Sequence, residues 1–321
     1  MEIIMTIRKS LLFVLQLVVL TPLFLVFYIG GAMMMAATLP PMELAEPGPL
    51  SPPWDFVAIG AAHTLVIMLL ILGSRWRGWR LMLAVSLVYY GCVTFITQTE
   101  TAYFLTRLTV GPETMPALFL MGLPTAFLFV PLAVVIMGRA RSRAPIAPAT
   151  NSMDMPIGQW VWKLAVIIAA YWLLYYGAGY FIAWQNPDVR AFYGGEDLGS
   201  FWLQMQFNLV NDPWLPPYQA LRALLWVLCA LPVINMTTGS PWRAALLVGL
   251  IFAVPSNMGH LLANPLIPDN SVRMSHLVET MSSTFVFGLI VVWLLHRRHD
   301  SLADLLGTHS EARQSTLASG H

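Results

Sequence analysis

The run LLFVLQLVVLTPLFLVFYIGGAMMMAAT, residues 11–38, decides how this chain is read. It follows Arg8 and Lys9 and ends on small residues, which is the outline of a cleaved leader. It is too long for one, because the apolar core of a leader spans only about 7–15 residues. A helix crossing the bilayer takes about 20 apolar residues, and this run supplies them. It also has a counterpart later in the chain. It is therefore read as a first spanning helix.

Seven more runs of the same kind follow, at 56–74, 80–98, 115–138, 159–184, 217–236, 242–262 and 275–296. The seventh is interrupted by Pro255, Ser256 and Asn257. Such residues are tolerated in a membrane helix when neighbours satisfy the freed backbone groups. Composition agrees with this reading: of 321 residues 57% are hydrophobic and 10% charged, where soluble domains carry about 25% charged residues. The net charge of +1 offers no basic face to a nucleic acid. Cys92 and Cys229 sit inside apolar runs and read as buried thiols. Trp54, Trp76, Trp79, Trp184, Trp214 and Trp242 mark run ends, as interfacial aromatic belts do.

Charge bias gives the orientation. Under eight crossings, 13 of the 17 Lys and Arg residues fall at the end that holds both termini, and only Arg107, Arg190, Arg222 and Arg273 fall at the other. The basic side is cytoplasmic, so both termini are expected there, in a bacterial inner (plasma) membrane, with loops 39–55, 99–114, 185–216 and 263–274 facing out.

The pattern repeats. Phe27-Tyr28-Ile29-Gly30-Gly31 matches Tyr175-Tyr176-Gly177-Ala178-Gly179 at an offset of 148 residues. Trp79-Arg80 matches Trp242-Arg243 at 163, and Thr125-Ala126-Phe127-Leu128-Phe129 matches Ser283-Thr284-Phe285-Val286-Phe287 at 158. Four helices per copy insert each copy the same way, so the repeat is parallel, about an axis along the membrane normal. The expected organisation is a first four-helix repeat (1–138), a cytoplasmic linker (139–158), a second four-helix repeat (159–298) and a polar tail (299–321) with a short helix at 301–306. Within the outer loop, Leu198–Phe207 is expected to form an interfacial helix over the second repeat.

Ionisable residues inside a membrane are costly and need partners or a wet cavity. Here they gather at the outer end of the second copy. Asn257, His260 and Asn264 follow i, i+3, i+7 spacing, which places them on one helix face. Their counterparts Thr94, Thr97 and Thr101 are polar too. His276 and Glu279 are also i, i+3, but their counterparts are Leu118 and Met121, so this pair is peculiar to the second copy. Arg222 is expected either to snorkel or to pair with Glu100 or Glu279. His260, His276 and Glu279 together would make a three-ligand metal site with an open position. No HExxH or CxxC motif supports that reading. His63 and His276, in different copies at similar depth, raise haem ligation, although a lone membrane histidine is more often hydrogen-bonded to a neighbour.

The sequence thus describes an all-α integral membrane protein with a polar pocket built from Glu100, Arg222, Asn257, His260, Asn264, His276 and Glu279. Such a pocket would bind or transport a small solute. The alternatives are a membrane-embedded enzyme using the His/Glu cluster on a substrate such as a lipid headgroup, and a non-catalytic accessory subunit.

Overall fold

In a chain this apolar a hydrophobic side chain can face another helix or lipid, so packing follows from burial rather than from hydrophobicity. The computed structural model describes residues 2–34, 36, 45–108, 111–141, 151, 153–195 and 199–305. Among them eight helices are long and apolar enough to cross a membrane: α1 (Arg8–Met33), α2 (Trp54–Gly73), α3 (Gly78–Tyr103), α4 (Pro112–Ile136), α5 (Ile157–Gln185), α6 (Leu215–Met236), α7 (Pro241–Leu261) and α8 (Asn270–Leu295). The chain is an all-helical, polytopic membrane bundle. Leu11, Leu15, Val18, Leu173, Leu228 and Val278 point outward. Phe24, Phe129, Trp226, Phe252 and Phe287 fill the interior.

Helix ends depart from the apolar runs where polar side chains hold the backbone. The eighth helix begins at Asn270 rather than 275, because the side chain of Asp269 caps it by accepting from Val272 N at 3.1 Å. The third runs on to Tyr103, past 98, with Thr99 and Thr101 donating to the carbonyls of Ile96 and Thr97. The first stops at Met33 rather than 38. In α7 the regular helix ends at Asn257 and tightens into a 3₁₀ turn, Met258–Leu261. Pro255 is accommodated there, while Ser256 and Asn257 donate to the carbonyls of Phe252 and Ala253. The loop after α5 holds two short helices, Pro187–Phe192, capped by Asn186, and Phe201–Asn211, capped by Ser200. Trp202, Leu203, Phe207 and Val210 on the latter are exposed. A helix at Leu302–Leu305 matches the one expected in the tail. Residues 142–150 of the linker and 306–321 of the tail lie outside the described residues.

In the first half α1 packs on α2 and α4, and α3 on α4; in the second, α5 packs on α6 and α8, and α7 on α8. Across the halves α2 meets α7 and α3 meets α6. One close approach is between α7 and α8. There the backbones of Gly249 and Gly288 face each other, and a Cβ on Gly288 would stand 2.7 Å from the Cα of Gly249.

Residues separated by the sequence offsets make matching contacts. Gly31 lies against the Met121 carbonyl, and Gly179 lies against the Glu279 carboxylate. Thr94 packs on Gly122, and Asn257 hydrogen-bonds Thr280. Thr125 donates to the carbonyl of Gly122, and Ser283 to that of Thr280. At the end holding both termini, the α2–α3 and α6–α7 connectors meet in an antiparallel bridge between Ser74 and Thr237, which are 163 residues apart. Arg75 N donates to the Met236 carbonyl at 2.7 Å and Thr238 N to the Gly73 carbonyl at 3.0 Å. Each of these bonds is the other's image when positions are exchanged at that offset.

Candidate functional site

Core residues close the bundle at the end where α1 begins and α8 ends, among them Ile71, Leu81, Val134, Ile234, Ala244 and Leu294. At the opposite end the helices enclose a cavity of about 1820 Å³ to which all eight contribute. Its lining includes exposed residues such as Pro52, Gly194 and Asn211, so it opens to the surface there. It reaches inward to Trp226 and Thr284, roughly 16–21 Å from the starts of α6 and α8 at 1.5 Å per residue. The vestibule therefore opens at that end and has a floor near mid-span.

Glu100, Arg222, Asn257, His260, Asn264, His276 and Glu279 all line this vestibule. They form two separate groups. Arg222 reaches across the halves to Glu100 in a two-pronged bond, Nη1–Oε1 and Nη2–Oε2 both 2.6 Å. Gln219 Oε1 accepts a further bond at 3.1 Å. Of the two carboxylates considered as partners for Arg222, Glu100 is the one it meets. The fork geometry of guanidinium and carboxylate makes this the stronger kind of charged bond. The pair belongs to a belt of contacts. Arg222 lies over the Tyr218 ring, Tyr218 stacks on Tyr103 with centroids 4.1 Å apart, and Tyr103 donates to Asp212 at 2.6 Å.

The second group lies on α8. His276 Nδ1 and Glu279 Oε2 are 2.8 Å apart, and His276 Nε2 is 3.1 Å from the Tyr193 hydroxyl. With the Nδ1–H donating to the Glu279 carboxylate, Nε2 is left to accept from the Tyr193 hydroxyl. The result is a hydroxyl–imidazole–carboxylate series in the vestibule wall. Thr280 bonds both Asn257 and the His276 carbonyl, tying α7 to α8 beside it. His260 stacks on His276 with centroids 6.3 Å apart.

Two expectations change. Asn257, His260 and Asn264 all face the vestibule, but not from one helix face. The helix has ended before Asn264, whose side chain instead accepts from Leu266 N in a turn. Among the described residues no three His, Cys, Asp or Glu side chains gather so as to hold a metal ion. The set His260, His276 and Glu279 is thus not gathered as a three-ligand site among the described residues. His276, raised as an axial haem ligand, has both ring nitrogens hydrogen-bonded, to Tyr193 and to Glu279. Its supposed companion His63 is buried against Phe24, with Nδ1 at 2.6 Å from the Tyr89 hydroxyl.

Tyr193, Asp212 and Thr280 escaped the sequence reading. The first two come from the long outer loop, whose path no periodicity encodes. Thr280 follows Glu279 directly, and its pairing with Asn257 depends on how closely α7 and α8 approach. No family model, curated protein or solved structure matches the chain.

Proposed function

We propose that the chain is a duplicated inner-membrane protein, with both termini cytoplasmic, that binds a small solute in an outward-facing vestibule as a receptor or the outward-open form of a transporter. The observation that carries this reading is the vestibule itself. Its polar groups come from both halves, its lining reaches the surface, and it holds the Arg222–Glu100 ion pair and the His276–Glu279 hydrogen bond at membrane depth. Buried charges are kept in membrane proteins where they face a wet cavity and a function. The basic residues at the closed end support the orientation. The matched contacts at offsets of 148, 158 and 163 residues support the duplication.

Plugging the vestibule tests the reading. Gly259 lines it, and a Cβ there meets nothing within 4 Å. Gly259→Trp is expected to keep the wild-type unfolding temperature and to lose stabilisation by every solute that raises it in the wild type. Equal responses in both proteins would make the polar groups a structural network only.

The series Tyr193–His276–Glu279 favours a second reading, a membrane-embedded enzyme. That order of groups suits proton abstraction by the imidazole, with the carboxylate fixing its tautomer. Turnover lost in His276→Leu while ligand stabilisation persists would select it.

A further inference from the structure

Resting on the vestibule reading, we infer that the ligand is a bulky organic cation, with Glu279 as its counter-charge and tyrosine rings as its walls. The first argument is charge. Among the described residues Asp55, Glu100, Asp212 and Glu279 line the vestibule, against the guanidinium groups of Arg190 and Arg222. Arg222 is matched by Glu100. Arg190 is spent on the carbonyls of Trp184 and Gln185 near the mouth. Asp55 accepts from Phe56 N in the first turn of α2, where the helix dipole favours it. Asp212 accepts from Tyr103 near the mouth. Glu279 is different. It lies about 13 Å along α8 from Asn270, is 8% exposed, and has an imidazole rather than a Lys or Arg beside it. A carboxylate at that depth calls for a positive partner.

A second observation points the same way. Gln98, nine-tenths buried in the lining, has an Oε1 with no donor among the described residues. The third is the wall. Tyr28, Tyr171, Tyr175, Tyr176, Tyr180 and Tyr193 line the vestibule, and aromatic faces attract cations. The volume admits a large ligand. About 1820 Å³ exceeds the roughly 300–1,000 Å³ of ordinary small-molecule sites, and Ile29, Met33, Leu118 and Met121 supply an apolar wall for bulky substituents. Arg222 Nε also lacks a partner among the described residues, so an anion is the competing ligand.

The test compares tetraphenylphosphonium with tetraphenylborate, ions of the same shape and opposite charge, binding to the full chain in lipid nanodiscs with empty nanodiscs subtracted. Saturable binding of the phosphonium, and weaker or no saturable binding of the borate, is expected. Glu279→Gln should weaken phosphonium binding about tenfold or more, Glu279→Asp less, and Gly259→Trp should abolish it. Preferential binding of the borate, or full phosphonium affinity in a folded Glu279→Gln protein, would overturn the inference. The ion comparison on the wild type needs no variant. If neither ion binds but neutral solutes stabilise the protein, the cation assignment fails and the vestibule reading stands. If nothing binds, both fail.

Discussion

The two halves share a packing scheme and differ in chemistry. Where Gly31 meets Met121, Gly179 meets Glu279; where Thr94 rests on Gly122, Asn257 bonds Thr280. Leu118 stands where the second half has His276. One half keeps an apolar wall and the other a hydrogen-bonded one, on the same frame. The halves also differ where α7 meets α8. Gly249 and Gly288 correspond to Ser86 and Val130, and the glycine pair lets the two backbones touch there. Under the proposed duplication, the copy that carries His276 and Glu279 takes on groups that cost stability where the other keeps Leu118 and Met121.

That contrast can be broken at its seam. Arg222→Met strands Glu100 opposite an apolar side chain. Removing one member of a buried pair costs about 3–5 kcal/mol, and the partial exposure of Glu100 (side chain 32% exposed) places the effect toward the lower figure. Thermal unfolding should show the loss, and Glu100→Leu added to Arg222→Met should recover most of it.

Gly288→Val gives the second half the first half's residue. The added side chain meets Gly249 backbone that cannot give way. A destabilisation of about 2–3 kcal/mol is expected, whereas Val130→Gly should not tighten the first half, because Ser86 still separates the helices. Thr280→Gly removes the bond to Asn257 and adds a helical glycine, at about 1–2 kcal/mol; an unchanged unfolding temperature would mean the bond holds nothing. The pair of changes His276→Leu and Glu279→Met copies the apolar wall into the second half. Stability should stay within about 1 kcal/mol, since apolar replacement of buried ionic groups is often neutral or better. Phosphonium binding should disappear.

The smallest effect lies at the closed end, where the second half carries a clamp. Gln159 Nε2 donates to the His299 carbonyl at 2.6 Å, and Lys163 donates to that of Arg297 at 2.8 Å. Burial, with Lys163 and Arg297 adding like charge, pushes the His299 imidazole down to about 4. The packed clamp therefore prefers the neutral ring. Its stability is full above the ordinary histidine value of about 6.5 and is lost as pH falls from there toward 4. Asp304, held down to about 2 by Arg297, stays ionised throughout that window. Limited proteolysis after α8 should increase between those pH values in the wild type and not in His299→Asn.

The bundle was legible because eight apolar runs leave few other folds. Helix ends were less so, since Asp269 and the threonines of α3 extend helices by hydrogen bonds that hydropathy does not register. The polar residues could be listed from the sequence but not paired. Whether Arg222 meets Glu100 or Glu279 depends on which face of α6 turns toward α3. The role of Tyr193 depends on a loop that folds back over α8.

The bridge between Ser74 and Thr237 has a mechanical consequence. It fastens the halves by two backbone hydrogen bonds at the closed end, while the Glu100–Arg222 bond lies about 21 Å away along α6 from Met236. With the bridge as fulcrum, each degree of tilt between halves separates the far bond by roughly 0.4 Å over that lever arm. A rocking of only about 2–3 degrees would stretch that bond past hydrogen-bonding range. The ion pair is thus a contact that a small change in the angle between the halves would break.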